Sequence, residues 1–92
     1  MKKFVYPAVL FYDNNEKQYT IAMYDIDVYA EAKTVEEAVA AAQDFLNEYL
    51  ETAFSYNIEI PEPTDFEIMI DMFPQNMVLL VESKLNDKNK AV

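Results

Sequence analysis

Asp25 and Asp27 are the two residues of this chain best placed by type and spacing to act together. On an extended backbone, residues two apart point the same way with Cα atoms about 7 Å from each other, so two carboxylates there could form a paired site. The competing reading is a polar turn, because Asp25-Ile26-Asp27 breaks an apolar run and aspartate favours turns. The turn reading is the stronger of the two.

The other parts of a catalytic site are missing from the composition. Histidine is absent, which removes the commonest general base and the commonest metal ligand. Cysteine is absent too, and with it thiolate zinc sites, disulfides and a thiol nucleophile. There is no glycine, so no phosphate-cradling loop and no glycine-framed elbow for Ser55 or Ser83, which also lack a histidine to activate them. A two-metal nuclease can run on carboxylates alone, but it needs acids on the first strand, and residues 3–12 offer none. The expectation is a protein that is no enzyme and holds neither metal nor cofactor.

Charge is the dominant feature of what remains. Seventeen Asp and Glu stand against seven Lys and no Arg, for a net charge of −10. Five of the seven lysines (Lys2, Lys3, Lys84, Lys88 and Lys90) lie near the ends, leaving Lys17 and Lys33 to offset a strongly anionic body. Such a surface is poorly equipped to meet phosphate, so direct binding of nucleic acid is not expected. Acidity serves solubility in many domains; it also attracts and orients a basic partner. The aromatic residues, 14% of the chain, read as core and interface, since a base-stacking platform needs a basic groove beside it.

A scaffold of one domain is expected at 92 residues, spanning 1–85 with a frayed tail at 86–92. Residues 4–12 contain Pro7 and lack a cleavage site, so they read as a strand and not as a signal peptide. No apolar stretch approaches the roughly 20 residues of a membrane span. Cytoplasmic location and no membrane contact are expected.

Lys3 to Tyr12 is apolar on both alternating faces, so both should be covered, and Pro7 suits a sheet edge or bulge. Residues 13–17 form a polar turn in which Asn14 and Asn15 can take the left-handed conformation. Gln18 to Tyr24 and Val28 to Lys33 alternate as further strands. Thr34-Val35-Glu36-Glu37 is a capping box, and Ala38, Val39, Ala42, Phe45, Leu46, Tyr49, Leu50 and Ala53 make an apolar helical stripe. Pro61 and Pro63 end the helical region in a stiff connector. Phe66, Ile68, Ile70 and Met72 alternate, which predicts a short strand or an extended docking segment. Met77 to Glu82 reads as the closing strand.

The predicted fold is therefore α+β, in β-β-β-α-β order: an antiparallel sheet of three to five strands with one helix packed on one face. One helix cannot cover both faces, so the second face is expected to meet another subunit or protein, making the chain a homo-oligomer or a binding module.

Lys3-Phe4-Val5-Tyr6-Pro7-Ala8-Val9-Leu10, Asp25-Ile26-Asp27, Thr34-Val35-Glu36-Glu37-Ala38, the Tyr49-Leu50 helix end and Ile60-Pro61-Glu62-Pro63 resemble, in this order and spacing, the HicB antitoxin domain over about residues 3–83. The resemblance implies a partial ribonuclease-H-like fold without nuclease activity. It also implies that the chain silences a small basic HicA-type toxin, one that cleaves messenger RNA, by occupying the toxin's RNA-binding surface. Two departures are visible: Tyr24 stands where the family often has proline, and the loop after the aspartate has no glycine. A C-terminal DNA-binding module, common in the family, is not expected here. The alternative is an orphan HicB-like structural or regulatory domain without a toxin.

For the partner surface, the expected residues are Asp25, Asp27, Tyr29 and Glu31, where acids and an exposed ring share the loop and third strand. Glu48 and Glu51 on the helix form the alternative patch.

Overall fold

The structure, a computed structural model, describes residues 4–84. The tail expected at 86–92 lies outside them. Strands β1 (Val5–Asp13) and β2 (Gln18–Met23) are followed by a short 3-10 turn (Tyr24–Ile26) and β3 (Val28–Ala32). The long helix α1 (Val35–Ser55), a short helix α2 (Phe66–Met72) and β4 (Met77–Glu82) complete the chain. The four strands form one sheet in the order β3-β2-β1-β4, antiparallel at every step. The α+β architecture, with its principal helix on the sheet, is the one the sequence predicts.

The two faces of the sheet follow from the register. Tyr6, Ala8 and Leu10 share one face with Ile21, Met23, Ala30 and Val81. Against it lies the stripe of α1, with Ala38, Ala42, Leu46 and Leu50 fully buried. Phe45 is the exception within the predicted stripe, being 43% exposed. The helix starts where the sequence predicts: the Thr34 hydroxyl accepts from the Glu37 N–H at 3.1 Å. It ends on Asn57 in the left-handed conformation at φ 54°. There the Ile58 N–H reaches the Ala53 carbonyl at 2.8 Å and the Asn57 N–H that of Phe54 at 3.4 Å, a Schellman closure made with asparagine in place of glycine.

Three expectations need correction. Pro7 lies not at a sheet edge but in β1, a central strand. The Ser83 N–H donates to the Phe4 carbonyl, and main-chain groups alternate sides along a strand, so Tyr6, Ala8 and Leu10 face β4 while Pro7 faces the other flank. On that flank the pairing with β2 begins only at Val9, so the missing N–H costs no ladder bond.

In the turn at residues 13–17 the left-handed residue is Lys17, at φ 55°, and neither asparagine. The Asp13 carboxylate accepts from the N–H groups of Asn15 and Glu16, which holds the asparagines in ordinary geometry and passes the strained position to Lys17.

Residues 66–72 are a helix, neither a strand nor an extended segment. α2 packs against β4 and β1 with Met69 buried, so the second face is partly covered from within the chain. Val9, Ala22 and Pro7 are buried on that face.

Candidate partner-binding face

The second face has two halves. Among the described residues, it is roofed by α2 over β1 and β4, and only by rings over β2 and β3. Phe73, which caps α2, stands edge-on to Phe11 at 6.1 Å between centroids and stacks on Tyr24 at 5.3 Å, 9° from parallel. Tyr24 in turn meets Tyr29 edge-on at 6.0 Å. The register places Tyr29 opposite Ala22 and Glu31 opposite Thr20, so Tyr29 and Glu31 stand on the same side as Phe11. The outcome is a row of four rings, with Tyr24 43% and Tyr29 51% exposed.

The 3-10 turn between β2 and β3 positions the acids of this region. Asp27 closes the turn in the left-handed conformation at φ 56°, its N–H donating to the Tyr24 carbonyl at 3.3 Å. The Tyr29 phenol is held above the ordinary tyrosine pKa, first by hydrogen bonding with the Asp27 side chain, then by desolvation and the Asp27 charge. Both Asp27 and Glu31 are exposed.

Asp25 has a different job. Its carboxylate accepts from the Thr64 hydroxyl at 2.6 Å and from the Thr64 N–H at 2.9 Å, which ties the turn to the proline connector. Thus Asp27, Tyr29 and Glu31 come together on the exposed surface, while Asp25 anchors the segment that leads into α2. The Asp25–Asp27 pair makes the polar turn, as the preferred sequence reading has it. Among the described residues no three carboxylates converge in a way that could hold a metal ion.

Glu48 and Glu51 are also exposed, but on α1, across the sheet from this face. On α2, Glu67 and Asp71 are exposed beside Phe66, Ile68, Ile70 and Met72, which are 37 to 61% accessible. Tyr24, Phe73 and Thr64 were not candidates from sequence. Only the helical spacing of Phe66, Met69 and Phe73 could have pointed to the roof they build.

No described helix is long and apolar enough to cross a membrane. No curated protein matches the chain in sequence. In three dimensions it is similar to a chain of a "Toxin-Antitoxin complex from Streptococcus pneumoniae", with a TM-score of 0.77 at 18% identity over 90% of this chain and 70% of that one, a likeness of fold. The model of the HicB-like antitoxin of bacterial toxin-antitoxin system matches residues 5–73, the stretch that runs from β1 through the Asp25 turn, α1 and α2. The chain therefore belongs to the HicB-like antitoxin family.

Proposed function

We propose that the protein is an antitoxin that binds a small basic HicA-type toxin and silences it by covering the surface with which that toxin engages RNA. Family membership carries this reading. The charge of −10 supports it, since an anionic domain without arginine competes with RNA for a cationic surface but has little affinity for RNA itself. Inhibition is by occupancy, with no catalysis by the antitoxin, and takes place in the cytoplasm. Asp27, Tyr29 and Glu31 are the proposed contacts, with Asp25 holding their turn in place.

Self-association accompanies this role. Among the described residues β4 is a terminal strand of the sheet, six residues long with exposed Met77 and Leu80 and no proline, the kind of strand that pairs with another.

Co-expression with a small basic HicA-type protein tests the proposal. A stable complex and relief of growth arrest are expected; a toxin that stays free and lethal in the presence of the folded chain contradicts it.

A further inference from the structure

We infer that the aromatic half of the second sheet face, from Tyr29 across Tyr24 to the outer side of α2, is the docking surface, and that its ligand is an arginine-bearing protein segment. The inference rests on the antitoxin reading for its biological partner; the features that select arginine are local to this face. A guanidinium is planar and weakly hydrated; it stacks on an aromatic ring while its N–H fork reaches a carboxylate. Tyr24 and Tyr29 offer partly exposed rings, and Asp27 and Glu31, on the same turn and strand, offer exposed carboxylates beside them.

The surface is also organised in advance. Tyr24 is fixed between Phe73 and Tyr29, so ordering these rings costs little when a partner arrives. The α2 helix that leads into Phe73 carries exposed Ile70 and Met72, apolar surface that suits a folded protein better than a bare cation.

Charge decides between occupants. Of the described lysines, Lys17 lies in the β1–β2 turn, Lys33 past the end of β3, two residues beyond Glu31, and Lys84 past β4, so none is in register with Tyr24 or Tyr29. Phosphate would therefore meet carboxylates here, which disfavours RNA. A second copy of the chain would set Glu31 and Asp27 against the same acids, which disfavours face-to-face self-pairing. The acids of α1, Asp44, Glu48 and Glu51, share their helix with Phe45 and Phe54, each 43% exposed, but these rings belong to no stacked row, so a weaker preference for arginine over lysine is expected there.

The test is an NMR titration of the isotope-labelled full chain with a short oligo-arginine peptide, an oligo-lysine of equal length and a single-stranded RNA. Amide shifts are expected to centre on Tyr24, Asp27, Tyr29 and Glu31, with arginine binding about tenfold tighter than lysine. Tyr29→Ala is expected to remove that preference. Tyr29→Phe, which keeps the ring, retains most of it and controls for folding, and the Glu48→Gln, Glu51→Gln pair leaves it unchanged. Shifts centred on α1, equal affinity for the two peptides, a stronger response to RNA, or no binding would each overturn the inference. Because the peptides need no toxin, failure here with neutralisation intact removes only the docking face. Arginine capture without neutralisation removes the antitoxin reading and leaves the face.

Discussion

The Asp25 carboxylate grips Thr64 twice, through its hydroxyl at 2.6 Å and its N–H at 2.9 Å, across 39 positions of sequence. This clasp fixes the connector between α1 and α2 and so helps set where α2 and Phe73 come to rest. Asp25→Ala leaves the part-buried Thr64 N–H without its acceptor, and the expected loss is about 1–2 kcal/mol, measured by urea unfolding. The substitution should also loosen the Tyr24–Phe73 stack, seen as weakened near-ultraviolet dichroism. Unchanged stability and an unchanged aromatic signal would show that the clasp is incidental.

A second tie joins the core to the same connector. The buried Tyr6 hydroxyl donates to the Pro61 carbonyl at 2.6 Å. Tyr6→Phe removes that bond at a cost of about 1 kcal/mol, read from the urea midpoint.

The same phenol sets a pH dependence. Burial raises the Tyr6 pKa above its ordinary value, with Tyr49, Asp25 and Glu62 adding to the shift. A raised folded-state value means that the contribution of Tyr6 is fully present below about pH 10 and is lost as pH rises through the folded value. The wild-type chain should therefore lose stability in the alkaline range more steeply than Tyr6→Phe. Parallel curves would contradict this assignment.

Leu46 lies on α1 against the sheet with no exposed surface. Leu46→Ala is expected to cost about 2–5 kcal/mol from lost burial and the cavity left behind. Phe45→Ala, at a neighbouring position that is 43% exposed, should cost much less. Thermal unfolding of the two variants side by side checks the orientation of the helix.

The absence of glycine has a measurable consequence at Lys17, which adopts φ 55° at the tip of the β1–β2 hairpin. A side chain with a Cβ pays about 1–2 kcal/mol there, against which glycine loses part of its advantage through a more flexible unfolded state. Lys17→Gly should stabilise the fold by about 0.5–1 kcal/mol. Asn57→Gly should yield less, because asparagine tolerates this region.

Much of the scaffold was legible because local patterns carried it. Thr34 and Glu37 announce the start of α1, and the spacing of Ala38, Ala42, Leu46 and Leu50 announces its buried side. The residues of β4 were readable from their branched apolar run. At residues 66–73 two patterns competed: Phe66, Ile68, Ile70 and Met72 alternate like a strand, whereas Phe66, Met69 and Phe73 recur at helical steps between Asp65 and Pro74. Burial settled the contest, for Met69 is inside and the alternating set is exposed. A helix of seven residues is not stable alone, so its formation depends on the sheet beneath it, which a local reading does not contain. The same limit hid the role of Asp25, whose partner lies far along the chain. Tyr29 and Glu31 were found as an exposed pair on β3, but the rings that frame them were not, because Phe73 reaches them only through α2.

Inhibition by coverage can be measured directly. A HicA-type toxin should be mixed with increasing amounts of the purified full chain while cleavage of an RNA substrate is followed. Cleavage is expected to cease near equimolar antitoxin and to return as salt weakens the complex. Cleavage that persists in excess of the folded chain, or RNA degraded by the chain itself, would contradict it.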